Sequence, residues 1–528
     1  MTAGRAVTGL AVRQVRWGAA IVAVLAAGMS LLVAATYAET VGSGSGAASL
    51  ASLAGNPAIR TLFGPPVALD DPGGFAVWRT GTFLAVLLGA WGLLAVTRTT
   101  RGAEEAGRWD LLLAGRITLA GAVGRHVAVV AAAMVAAGAA ITAALLAAGT
   151  DPAGAILHGA GLALLGVFFA GTAGLTAQIF PTRAAGTGAA LGVLGASLLL
   201  RMVADGMTVL SWLRWFSPFG LVELSRPYED DRLVPLLVLA VSATAAVVAV
   251  PTAARRRDLH GGWLPPGTGR APRTVLLGSV TGFAVRRMLR PLLGWSAGIG
   301  AYFLLIGLTV KSLTGFLTDN PQFADLAGQA GFAGVQTVEG CVATLFALLA
   351  IPIGGFAAAR IAAASADEEA RRPASLYGGP VTRSRFLAGE AAAAAGGAVV
   401  LAAVAGLATW SGVTMTGAGL GLTAALAGAV NVLPVVALGL GAAILALGLF
   451  PRAVAAVGAI PTVGGFLLLV VTERVSLPGT LLGLSPFTHL APVPATTPNW
   501  AGAIGMSAVA AGLGLIGAAA YRRRDLRA

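Results

Sequence analysis

Glu229-Asp230-Asp231-Arg232 leads into Leu233-Val-Pro-Leu-Leu-Val-Leu-Ala-Val-Ser-Ala-Thr-Ala-Ala-Val-Val-Ala-Val250, and after four intervening residues the chain reaches Arg255-Arg256-Arg257. An apolar run of this length matches the roughly 20 residues an α-helix needs to cross a hydrocarbon core. Acids stand at one end and three arginines at the other, so the run also carries an orientation. Similar runs recur near residues 18–37, 79–97, 127–148, 156–178, 186–207, 233–253, 291–310, 341–359, 389–411, 427–449, 454–472 and 501–520. The pattern predicts an all-α polytopic membrane protein with about twelve transmembrane helices. Backbone polar groups cannot stay unpaired in lipid, so Gly- and Ala-rich runs of this length read as tightly packed helices.

Composition agrees. Of 528 residues, 57% are hydrophobic and 11% charged, with a mean hydropathy of +0.83, whereas a soluble domain carries about 25% charge. No stretch is left for a large soluble domain. The net charge of +13 invites a nucleic-acid reading, but the basic residues, all Arg except Lys311, gather at the ends of apolar runs. Topology explains them, and no nucleic-acid partner is expected. With the N-terminus inside, 27 of the 35 basic residues and nine of the 22 acids fall on the inner side. The expectation is therefore a multi-pass plasma (inner) membrane protein with both termini cytoplasmic. The first apolar run is too long for a signal-peptide core and reads as a retained helix.

The chain also repeats itself. Glu104-Glu105-Ala106-Gly107-Arg108 through Thr118 aligns without gaps on Glu368-Glu369-Ala370-Arg371-Arg372 through Thr382. Three further pairs follow in the same order: Phe180-Pro181 with Phe450-Pro451, Ser217-Pro218-Phe219 with Ser485-Pro486-Phe487, and Arg255-Arg256-Arg257-Asp258-Leu259 with Arg522-Arg523-Arg524-Asp525-Leu526. Ordered self-similarity at half the chain length marks an internal duplication. Six spans per half is even, so the halves are expected to run parallel. The first would occupy 1–262, with an N-terminal amphipathic segment and an inner segment at 98–126. The second would occupy 263–528, with a basic linker at 263–290 and an inner segment at 360–388.

The inner segments carry the most information. In the first, Glu104 and Glu105 precede Arg108 and the triplet Leu111-Leu112-Leu113, which describes a short amphipathic helix with acids at its positive end. Such a helix lies on the membrane surface or docks on a partner. A solvated helix start, stabilised only by its dipole, fits the acids alone equally well. Glu368, Glu369, Arg372, Leu376 and Tyr377 are the counterparts.

The pattern Glu-Glu-x-Gly-Arg-x-x-Leu-Leu-Leu-Ala-Gly after the second span resembles the coupling-helix region of ABC-2-type exporter permeases. The outer stretch from Asn56-Pro57 to Asp70-Asp71-Pro72-Gly73-Gly74-Phe75, the Trp215-Phe216-Ser217-Pro218-Phe219-Gly220 segment and the fused two-times-six arrangement extend the likeness to the actinobacterial drug and polyketide-antibiotic exporters of that family. The resemblance implies a permease that moves a hydrophobic or amphipathic compound out of the cell. It also implies a separate cytoplasmic ABC ATPase, in two copies, docking on the inner segments and supplying ATP and Mg. A short amphipathic helix should precede the first span, and short re-entrant pieces should lie between the fifth and sixth. The second half departs from the pattern, with Ala370-Arg371-Arg372-Pro373 and Ser375-Leu376-Tyr377 in place of the first half's residues.

No ATPase engine is expected in this chain. A phosphate-cradling loop needs Gly-x-x-x-x-Gly-Lys-Ser/Thr, whereas Lys311 follows Val310 inside an apolar run. Cys341 is the single cysteine, and His126, His158, His260 and His489 are scattered, so neither a metal site nor a catalytic centre is expected. Arg201 and Asp205, at i and i+4 in the fifth span, read either as a pathway element or as a structural ion pair. Trp212 and Trp215 read either as part of an outer gate or as an aromatic belt. Pro352 and Pro434 fall within spans and could kink them. An ion-gradient-driven carrier is the rival function and would need buried carboxylates at mid-membrane; a membrane enzyme or scaffold is the remoter one.

Overall fold

The computed structural model describes residues 3–38, 55–264, 274–320, 334–369, 381–469 and 482–524. Contacts divide the chain into two compact units, Met1–Arg270 and Ala271–Ala528. The described residues are helical with no strand, and twelve helices are long and apolar enough to cross a membrane, six in each unit.

In the first unit the spans are α1 (Ala3–Ala35), α3 (Pro72–Thr99) continuing into α4 (Arg101–Glu105), α6 (Leu119–Ala147), α7 (Pro152–Ile179), α8 (Arg183–Gly206) and α10 (Leu233–Ala254). Short elements join them: α2 (Pro57–Phe63), α5 (Arg108–Leu113), a 3-10 segment (Thr208–Phe216) and α9 (Pro218–Leu224). The span starts follow from local chemistry. Asp71 accepts from the N–H of Gly73 and Gly74 with Pro72 in the first turn, and Asp151 does the same for Ala153 and Gly154 with Pro152. These acids are therefore N-caps as well as orientation signals.

The second unit holds α11 (Val280–Asp319), α12 (Val338–Glu369), α13 (Arg383–Met415), α14 (Leu422–Val430) with α15 (Leu433–Leu449), a fifth span built from a 3-10 turn (Pro451–Ala453), α16 (Val454–Ala459) and a π turn (Ile460–Gly464), and α17 (Trp500–Arg523). Pro434 does not kink a continuous span. It opens α15, where its missing N–H costs nothing, after a break at Asn431 and Val432. Pro352 does lie inside α12. Short pieces lie between the fifth and sixth spans as Thr208–Phe216 with α9 in the first unit and, among the described residues, as a 3-10 turn at Pro486–His489 in the second. The amphipathic N-terminal segment is not a separate helix: residues from Ala3 run unbroken into the first span, with no proline in Ala3–Ala35 and with Thr8 and Ser30 bonding back to the carbonyls of Gly4 and Ala26 inside the helix.

Both units pack by the same scheme, with the first span on the third, the second on the fourth and the fourth on the sixth. The second and fourth spans are the most enclosed. Lipid tails are as apolar as leucine, so span association rests on close contact between backbones. A methyl on Gly138 would lie 2.4 Å from Gly159 O, and one on Gly412 would lie 2.5 Å from Leu304 O. These glycines are the contact surfaces of α6 with α7 and of α13 with α11. Large apolar side chains such as Ile21, Val24, Leu237 and Val241 stay exposed on their spans, and contact with lipid tails would carry no penalty for them.

The duplicated motifs make duplicated contacts. Ser217 Oγ donates to Ser197 O at 2.7 Å, and Ser485 Oγ donates to Gly465 O at 2.8 Å. Thr118 and Thr382 each cap the third span of their unit.

Candidate functional site

The Arg-rich end of the first unit is assembled where α3 ends. After Thr99 the chain breaks, α4 forms one turn, and Gly107 adopts a left-handed φ of 68° that lets α5 set off in a new direction. Within α5 the side chains divide. Trp109 is buried against His126, with ring centroids 5.6 Å apart, and Leu112 and Leu113 pack on the core. Arg108 and Asp110 are exposed, and Leu111 is 86% exposed. Leu111 and Leu112 also border a shallow cleft whose other wall is Ala3, Ala6, Val7 and Leu10 of α1.

Glu104 does not share that outward position. It is 1% exposed, and its two oxygens accept from Arg257 Nη1 and Nη2 at 2.6 and 2.7 Å. Arg101 Nη1 lies 2.9 Å away, and the N–H of His260 donates at 2.6 Å. Arg101 in turn donates to Phe180 O and Gly261 O, and Arg257 Nε to Gln178 Oε1. The acid expected on a solvated helix start is thus the centre of a closed polar cluster. Burial of a carboxylate is expensive unless paired, and here it has a bidentate partner. Glu105 stays exposed and accepts from the N–H of Arg183 at 2.5 Å, tying α4 to the start of α8.

The second unit repeats the arrangement. Glu368 accepts from Arg524 Nη2 at 2.6 Å and from the Tyr521 hydroxyl, while Arg524 Nη1 reaches Leu447 O at 2.6 Å. Ser365, aligned with Arg101, donates to Pro451 O. The side chain of Glu369, and Arg372, Leu376 and Tyr377 entirely, lie outside the described residues. Nearby, Glu390 sits between Arg287 Nη1 at 3.2 Å and Arg360 Nη2 at 3.3 Å, and Arg287 also pairs with Asp367. The positions in the first unit aligned with Glu390, Arg360 and Asp367 are His126, Val96 and Ala103, so this second charged group has no counterpart there.

At the opposite end of the first unit, Arg201 and Asp205 do pair, at 2.5 Å, but within a larger group. Arg201 Nε lies 2.7 Å from Glu223 Oε2, and Arg214 Nε lies 2.7 Å from Asp205 Oδ1 and 3.2 Å from Glu223 Oε1. Arg201 also donates to Thr82 Oγ1. Two cations and two anions alternate, with Arg201 and Asp205 buried. Trp212 and Trp215 are 57% and 44% exposed, on the surface of the same turn that supplies Arg214. In the loop before the sixth span Tyr228, whose hydroxyl pairs with Thr150 Oγ1, has its pKa pushed by burial up to about 12.

Sequence reasoning missed Arg214, Glu223, Gln178 and Arg101; the first three meet partners that no local spacing connects to them, whereas Arg101 stands three residues before Glu104 and that spacing was a signal for their contact. It had the signal for Arg257 and Arg524: two duplicated motifs of opposite charge on the same side of the membrane are candidates to pair with each other.

The pattern described as "Multidrug efflux system permease Rv1217c, C-terminal domain" matches residues 277–522. The chain is 30% identical over 491 residues to the multidrug efflux system permease protein Rv1217c of Mycobacterium tuberculosis (strain ATCC 25618 / H37Rv), covering 91% of this chain and 87% of the relative. With its twelve apolar helices, six to a unit, and the polar cluster that each unit repeats at its Arg-rich end, the chain belongs to this family of multidrug efflux permeases.

Proposed function

We propose that this chain is the membrane subunit of an ATP-driven ABC exporter, with both six-helix units on one polypeptide and two copies of a separate ATPase docking on the Arg-rich ends. The observation that carries the reading is Leu111: an almost fully exposed leucine on a helix held in place by buried Trp109, beside an apolar cleft, is a docking surface for another protein. ATP and Mg belong to the partner, since the one lysine of this chain has no phosphate-binding loop around it. The cargo is a hydrophobic or amphipathic compound, moved outward across the plasma membrane, with both termini cytoplasmic. The name of the relative and the apolar span walls support the cargo class, and the arginine distribution supports the orientation.

An ion-gradient-driven carrier would need a carboxylate free to take and release a proton. Asp205, Glu223 and Glu390 each face arginine, which favours the ATP-driven reading. The test is purification of the chain from its native membrane and measurement of what accompanies it. An ATPase at two copies per chain, with dye transport that requires ATP, is expected. Transport by the chain alone on a proton gradient would refute the reading.

A further inference from the structure

Three span ends meet around each buried acid. In the first unit they are the end of the second span (Arg101, Glu104), the end of the fourth (Gln178, Phe180) and the turn after the sixth (Arg257 to Gly261). In the second they are Ser365 and Glu368, Leu447 and Pro451, and Tyr521 and Arg524. The surrounding side chains differ between the units, yet the acid and the arginine after the sixth span are kept at 2.6 Å in both.

The placement matters because the chain turns out of the second span directly after this acid. Glu104 is the last buried side chain before Gly107 turns the chain into α5. The turn after the sixth span holds both sides of this corner: the N–H of His260 bonds Glu104, and its ring nitrogen Nε2 lies 3.0 Å from Asp110 of α5. A bidentate carboxylate–guanidinium pair fixes angle as well as distance, so a push on α5 cannot rotate α4 without moving the sixth span.

We propose that Glu104–Arg257 and, with one charge-assisted contact in place of two, Glu368–Arg524 are transmission latches, positioning pairs that make the second, fourth and sixth spans of their unit answer a displacement at the end of the second span as one body. This rests on the ATP-driven reading above. Neither acid touches the ATPase; each acts through the arginine that holds it. The two latches are unequal: Arg257 is 2% exposed and Arg524 is 23% exposed.

The test uses the full chain with its ATPase in inside-out vesicles, reading Hoechst 33342 uptake and ATP hydrolysis together. Glu104→Gln and Arg257→Gln are each expected to lower dye moved per ATP roughly 3- to 30-fold while the ATPase still co-purifies. The double variant should be no worse than the poorer single, because the partners act as one unit. A merely structural role would lower the yield of the complex and leave dye per ATP unchanged, and that result overturns the proposal. If the buried pair does not tolerate substitution, Glu368→Gln, at the more exposed latch, gives the same reading with a smaller loss. Absence of any ATPase from the unsubstituted chain removes the exporter reading itself; an intact, ATP-driven complex whose variants keep their dye-to-ATP ratio removes only the latches.

Discussion

Arg201 Nε lies 2.7 Å from Glu223 Oε2, and this contact between two different helices turns a local ion pair into a closed ring with Asp205 and Arg214. The ring is neutral as a whole, and each member is desolvated on the assumption that the others stay. Removing one leaves a buried charge uncompensated, at a cost of about 3–5 kcal/mol. Asp205→Ala should therefore lower the thermal unfolding temperature in detergent sharply, whereas Trp212→Ala, at an exposed position, should leave it unchanged. Equal stability of the two variants would show that the ring does not hold this end together.

Leu111 and Leu112 are adjacent and should behave in opposite ways. Leu111→Asp touches no core contact, so on the proposed ATP-driven reading the chain should stay folded while the proposed ATPase partner is lost from the purified complex, by about 2 kcal/mol or more in affinity if Leu111 is a central contact. Leu112→Asp places a charge against the core and should destabilise the chain itself. Pull-down of the ATPase, normalised to folded chain, separates the two.

Glycines at span crossings and glycines facing outward also part company. Gly412→Ala drives a methyl to 2.5 Å from Leu304 O and must push α13 off α11, which costs about 1–3 kcal/mol. A methyl on Gly192 of α8 meets nothing within 4 Å, and Gly192→Ala should be neutral or stabilising by about 0.4–1 kcal/mol. Thermal unfolding of both variants in one detergent checks the order.

Ser217 and Ser485 each cap a helix and bond a carbonyl 20 residues earlier in the chain. Ser217→Ala and Ser485→Ala should each cost about 1 kcal/mol, since a lost cap is worth roughly that much. Similar losses would bear on the duplication energetically; a loss at only one site would mean that one copy of the contact has become idle.

The twelve spans were legible in the sequence because membrane insertion reads two local quantities, the length of an apolar run and the charge at its ends, and both are printed in order along the chain. The caps were equally local: Asp71 before Pro72 and Asp151 before Pro152 act within three residues of themselves. The ungapped alignment at an offset of 264 residues marked Glu104 and Glu368 as equivalent, and the structure gives them equivalent partners.

What the residues alone left open was the direction each side chain takes. Glu104 and Glu105 are neighbours of identical chemistry, yet one is sealed against Arg257, 153 residues away, and the other is exposed. Leu111 and Leu112 divide in the same way. Of the partners of Arg201, Asp205 was legible at i+4, but Glu223 was not, because it comes to Arg201 only when α9 folds back against α8. Hydrophobicity and local spacing determined where this protein crosses the membrane and which segments stand outside it. Only the tertiary structure decided which charges are spent inside the protein, because the cost of burying a charge is met by a partner that can come from anywhere in the chain.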